Sequence, residues 1–198
     1  NVEGDVSGRL ILGERIDSFS PKVSILKAAI RGSYDLIPYP ISIKEGRFEY
    51  GEDKVRLEDV SGAVGRSSFS GLTGSLNYRE SRQIEISSGR FSLDVAETKS
   101  LLSRFDVLRE ELRDVDFARG KLDLASVTLK GLLDNPARWD FTSAGTLGEI
   151  AVKHTKLPAV MNLSGGKFSA TQEKLTVSNT KVNLLDASLT FDGSLRNP

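Results

Sequence analysis

Most of the chain alternates between apolar and polar residues. The pattern is clearest in Lys54-Val55-Arg56-Leu57-Glu58, Lys121-Leu122-Asp123-Leu124 and Lys174-Leu175-Thr176-Val177-Ser178, and it returns in Val182-Asn183-Leu184 and Leu189-Thr190-Phe191. Gly, Asn, Asp and Ser separate these runs, as turn residues separate strands. Successive side chains of a strand point to opposite sides, so each run has one apolar and one polar face. The pattern predicts a mainly β protein, an antiparallel sheet with one wet face.

One segment changes period. Leu101, Phe105, Leu108, Leu112 and Val115 follow one another at steps of 4, 3, 4 and 3, which is a helical stripe. Asp94 and Glu97 stand before it as an N-capping pair near the positive helix end. The spacing predicts one helix near 95–113, of about five turns, packed on the apolar face of the sheet. A lid over a ligand groove is the other reading of the same stripe.

The chain also repeats. Gly-[Lys/Arg]-[Phe/Leu] occurs at Gly8, Gly46, Gly89, Gly120 and Gly166. Apolar parity changes across these glycines, from Ile43 to Phe48 and from Leu163 to Phe168, as a β-bulge or tight bend would require. Pro38, Ile43, Gly46, Arg47, Phe48, Lys54, Val55 and Leu57 match Pro158, Leu163, Gly166, Lys167, Phe168, Lys174, Leu175 and Val177 at an offset of 120 residues. After a slip of one residue, Gly74-Ser75-Leu76 matches Gly193-Ser194-Leu195. The two segments 38–76 and 158–195 are therefore expected to follow the same local path, with bends near Gly46 and Gly166. Gly131-Leu132-Leu133-Asp134-Asn135-Pro136 is echoed by Gly193 to Pro198, which implies that the sequence stops at a repeat boundary of a longer protein. Residues 1–198 are expected to form a single β-rich domain: a β-repeat over 34–78, a strand–helix–strand insertion over 84–131 and a β-repeat over 137–195.

Gly46-Arg47-Phe48-x-Tyr50, Val55-x-Leu57, Asp59-Val60-x-Gly62, Val64-Gly65-x-Ser67 and Phe69-x-Gly71-x-x-Gly74 together resemble the repeat of AsmA-like proteins of the Gram-negative envelope. Gly131, Asn135-Pro136, Trp139 and the 158–195 unit resemble that family's C-terminal region, and the likeness covers most of 34–198. It implies a curled β-groove with an apolar inner face, in the periplasm, held to the inner membrane by an N-terminal anchor outside this sequence. It implies phospholipid as ligand, passing along the groove between the two membranes, and no catalytic residues.

Composition narrows the alternatives. Charges balance at 27 Lys+Arg against 27 Asp+Glu, without the basic excess usual for a nucleic-acid binder. The absence of Cys removes disulfides and thiolate chemistry, and a single His excludes a multi-His metal centre. No P-loop, zinc-protease, nucleophile-elbow or EF-hand motif occurs. No cofactor, metal or catalytic residue is expected. His154 reads as a solvated loop residue, and Asp134-Asn135-Pro136 as a turn. Each buried CH₂ is worth about 0.8 kcal/mol, so a partly open apolar face would attract acyl chains. The residues expected to contact lipid are Phe168, Leu175, Val177, Val182, Leu184, Leu189 and Phe191. A structural or assembly module for outer-membrane biogenesis is the alternative. A polysaccharide-binding scaffold is disfavoured, because only Trp139 and four Tyr could form sugar platforms.

Overall fold

A computed structural model describes residues 2–11, 22–34, 37–51, 53–79, 82–104, 112–133, 135 and 138–196, with side chains from residue 30 onward except 34. The chain is mainly β. Its strands are β1 (Val2–Ile11), β2 (Lys22–Tyr34), β3 (Ile37–Tyr50), β4 (Lys54–Val64), β5 (Ser67–Asn77), β6 (Gln83–Asp94), β7 (Val115–Leu132), β8 (Asp140–His154), β9 (Met161–Ser164), β10 (Lys167–Thr171), β11 (Lys174–Leu184) and β12 (Ala187–Arg196). They form one antiparallel sheet in the order β1-β2-β3-β4-β5-β6-β7-β8-β10-β11-β12, with β9 paired to both β8 and β11. The chain divides into two compact units: residues 1–90 with 128–140, and residues 91–127 with 141–198.

The helix is shorter than its sequence stripe predicts. α1 runs from Val95 to Leu102 and ends at Ser103. The Asp94 side chain accepts from the Glu97 N–H at 3.0 Å, as the capping pair predicts. At the other end the Ser103 hydroxyl donates to the Lys99 carbonyl at 2.8 Å, and the Arg104 N–H reaches back only three residues, to Leu101. These local bonds tighten the last turn and stop the i→i−4 ladder. Residues 112 and 113 are helical again, whereas Phe105 and Leu108 lie outside the described residues. No residue of α1 is fully buried, and Lys99 ties it to β7 by donating to the Val115 carbonyl.

The repeat exists in the backbone. In the first unit, Gly46 has φ 143°, Asp59 φ 51° and Gly65 φ 58°; in the second, Gly166 has φ 95°, Asn179 φ 52° and Leu185 φ 54°. Each pair is 120 residues apart. Pairing matches too: Ile43↔Gly62, Phe48↔Leu57 and Tyr50↔Val55 correspond to Leu163↔Val182, Phe168↔Val177 and Ala170↔Leu175. Asp59 and Asn179 are the extra residues of β-bulges on β4 and β11. The Asp59 N–H donates to Thr73 Oγ1 at 3.2 Å and the Asn179 N–H to Asp192 Oδ1 at 2.9 Å, so the neighbouring strand satisfies the displaced amide in the same way.

The one-residue slip also has a place. Val60 pairs with Leu72 and Gly62 with Phe69, leaving Ser70 and Gly71 opposite Ser61 alone; Gly71 has φ 63°. In the second unit Thr180, Lys181 and Val182 pair one-to-one with Phe191, Thr190 and Leu189. β5 therefore carries a bulge that β12 lacks.

Full burial is rare. Among the described apolar residues only Val60, Ala118, Ile150 and Ala151 are buried, and Thr180 joins them as the buried polar residue. In the Gly-[Lys/Arg]-[Phe/Leu] motifs, Arg47, Arg90, Lys121 and Lys167 are exposed while Phe48, Phe91, Leu122 and Phe168 are half-buried. The basic residue is thus the outward partner of an inward apolar one, as strand alternation requires.

Candidate functional site

The seven residues singled out for lipid contact lie on β10, β11 and β12 in the second unit. Strand parity alone does not put them together, because Leu175 and Val177 are odd-numbered and Val182 and Leu184 even-numbered. The bulge at Asn179 supplies the missing step. Val177 pairs with Gly193, Thr180 with Phe191, Val182 with Leu189 and Leu184 with Ala187. The β12 partners alternate without interruption, so their β11 partners share one face. Phe168 pairs with Val177 and joins the same face.

The face extends further than the sequence indicates. Ile150, Leu163, Val182 and Leu189 form one cross-strand row over β8, β9, β11 and β12. Val152, Met161, Leu184 and Ala187 form the next. On the other side of Thr180 and Phe191, the rows are Gly145, Phe168, Val177, Gly193 and then Ser143, Ala170, Leu175, Leu195. Aligned rows of this kind are the unit of packing on a sheet face. Ile150 and Val152 were hidden by the run Ile150-Ala151-Val152, which has no alternation to read. Leu195 could have been found from its match to Leu76.

Cover thins across the face. Ile150 is 7% exposed on β8, and Phe168, Leu175, Val177, Val182 and Leu184 are half-buried. Leu189, Phe191 and Leu195 on β12 are 53%, 46% and 56% exposed. Thr180 sits in the centre, 2% exposed, and its hydroxyl oxygen has no hydrogen-bond partner. It occupies the place of Val60, which is also 2% exposed.

A cleft of about 420 Å³ is lined by residues of both parities: Arg119, Gly120, Glu149, Asn162, Ser164 and Asn183 together with Ile150, Ala151 and Leu163. Asn162 and Asn183 are paired in register, each one residue from an apolar-face residue. Along β9 and β11, strand alternation sets Leu163 and Val182 on one side and Asn162 and Asn183 on the other.

His154 closes β8, where its Nδ1 accepts from the Lys156 N–H at 3.1 Å. Asn135 lies in a turn: its N–H donates to the Leu132 carbonyl and its own carbonyl accepts from Arg138; Asp134 and Pro136 lie outside the described residues. Trp139 is committed to structure, because its indole N–H donates to the Leu132 carbonyl at 2.6 Å and its ring fills the space over Gly131.

No protein-family model matches the chain, and no curated protein or solved structure matches it. The likeness to AsmA-like proteins rests on the motifs quoted above alone.

Proposed function

We propose that this chain is a non-enzymatic periplasmic segment of a membrane-anchored envelope protein, and that its apolar face binds or conducts phospholipid acyl chains between inner and outer membrane. One observation carries the reading: the register gathers all seven residues on one face, which becomes progressively less covered toward Leu189, Phe191 and Leu195. An exposed contiguous apolar patch on a folded domain marks an interaction site, and acyl chains need only apolar area. The resemblance to AsmA-like proteins supports the periplasmic, membrane-anchored setting.

The test is photo-crosslinking in the full-length protein in cells. A photoreactive residue at Val182 should yield phospholipid adducts, and one at Asn183, on the polar face, should yield few. Equal labelling, or none at either position, would reject the lipid reading and favour a structural or assembly module. Phe191→Asp gives a second arm. Phe191 is 46% exposed, so a charge there should leave the fold intact and reduce the Val182 adducts.

A further inference from the structure

The cleft of about 420 Å³ lies wholly within the second unit, and the second repeat departs from the first at the positions that shape it. The first repeat has Ser42 opposite Ala63, whereas the second has Asn162 opposite Asn183. Lys44 and Glu45 of the first give way to Ser164 and Gly165, and nothing lies within 4 Å of where a Cβ on Gly165 would stand. Two long charged side chains are thus replaced by a hydroxyl and open space. β7 and β8 add one charge of each sign, Arg119 and Glu149. A Cβ on Gly120 would collide with the Glu149 carbonyl, so glycine is what admits β7 this close and brings Arg119 to the cleft. Among the described residues, the side chains of Arg119, Glu149, Asn162, Ser164 and Asn183 make no hydrogen bond or ion pair with the protein. Ile150 and Ala151, which also line the cleft, are consecutive yet only 7% and 6% exposed, so the sheet is covered on both sides at this point.

We infer that this cleft is a binding site for a small zwitterion of the amino-carboxylate class, of dipeptide size. The Arg119 guanidinium takes the ligand's carboxylate, for which its planar fork is the matching donor, and the Glu149 carboxylate takes the ammonium. Asn162 and Asn183 each offer a donor and an acceptor, which is what a peptide group between the two charged ends requires. One charge of each sign matches a ligand of zero net charge; a phosphate dianion would keep one charge unpaired and would face Glu149. No aromatic residue is among those that line the cleft, so a nucleobase or a sugar ring has no platform to stack on. A volume of about 420 Å³ falls within the range of small-molecule sites, roughly 300–1,000 Å³. The inference is independent of whether the apolar face takes lipid.

The probe is glycylglycine, titrated into the whole 198-residue chain and followed by nuclear magnetic resonance. The side-chain amide resonances of Asn162 and Asn183 should shift and saturate. N-acetylglycylglycine lacks the ammonium and glycylglycinamide lacks the carboxylate, so each should bind about tenfold or more weakly, the loss of one hydrogen bond to a charged group. Each loss should map to one residue. Arg119→Gln should bind glycylglycine no better than glycylglycinamide, and Glu149→Gln no better than N-acetylglycylglycine. Both side chains are exposed and without a partner among the described residues, so both variants should keep the parent thermal midpoint. The capped dipeptides are read on the unaltered chain, so the outcome does not depend on the folding of the variants. No saturable shift at either Asn, capped dipeptides that bind as tightly as glycylglycine, or parent affinity retained in both variants would overturn the inference. Phosphoethanolamine binding more tightly than glycylglycine would overturn the assigned class of ligand, because the oxyanion would then be a phosphate.

Discussion

Thr180 is a residue at which the second repeat departs from the first. Its buried hydroxyl has no partner, and the equivalent Val60 fills the same site with a methyl. An unsatisfied buried hydroxyl costs roughly 1–3 kcal/mol, so Thr180→Val should stabilise the protein by about 1 kcal/mol or more in urea unfolding. A destabilised variant would mean that the hydroxyl has a role the geometry does not show. Tyr78 gives a pH-dependent case. Its hydroxyl donates to the Gly51 carbonyl at 2.6 Å, and its ring stacks on Tyr50 with centroids 5.6 Å apart. Partial burial, then the hydrogen bond and charge of Tyr50, push its pKa from 10.0 up to about 12. A phenol with a raised folded-state pKa favours the fold fully below its unfolded value and loses that contribution as pH climbs through the folded one. Stability should therefore fall between pH 10 and about 12, and Tyr78→Phe should make that fall shallower in a thermal-midpoint series.

Elements show what a sequence pattern can and cannot convey. Alternation located the strands, and the shared offset located the bends, because both are local properties of consecutive residues. Register is not local. That Leu175 and Leu184 share a face depends on the bulge at Asn179, whose φ of 52° no alternation rule announces; the signal was the loss of parity between Val177 and Val182. The helix shows the converse error. Its stripe runs on past Leu102, but hydrogen bonds by Ser103 end α1 after eight residues. Asp94 was legible because capping is local: Asp94→Ala should cost about 1 kcal/mol in equilibrium unfolding, with a loss of helical circular dichroism. The Arg47–Glu58 pair, at 2.8 Å but 51% and 60% exposed, contributes little to the repeat. Lys167 stands opposite Ser178 at the same place in the second copy, and the pairing is unchanged.

For the whole molecule, the division into two compact units has a measurable expectation. A Cβ on Gly46 would lie 2.7 Å from Val60, and one on Gly166 would collide with the Thr180 hydroxyl; both glycines have positive φ. Alanine at either should destabilise by roughly 1–3 kcal/mol. Hydrogen exchange should then place the loosening by unit: Gly46→Ala over 38–76, and Gly166→Ala over 158–195. Uniform loosening by both variants would mean that the chain opens as a single cooperative body. The function was the least legible property, because an apolar face is the same whether it meets lipid or protein, and only a labelled ligand separates the two.

The bulge at Ser70 and Gly71 has a consequence for how such a chain can change length. Inserting or deleting a residue within a strand ordinarily turns every later side chain to the wrong side of the sheet. Here, losing one residue at that point would convert the pairing of β5 into the one-to-one form already present in β12, with Leu72 still facing Val60 and Phe69 still facing Gly62. The site works as an expansion joint: a copying error of one codon alters the twist of a ribbon and leaves its oily and wet sides where they were, so duplicated units can drift in length without ceasing to be interchangeable.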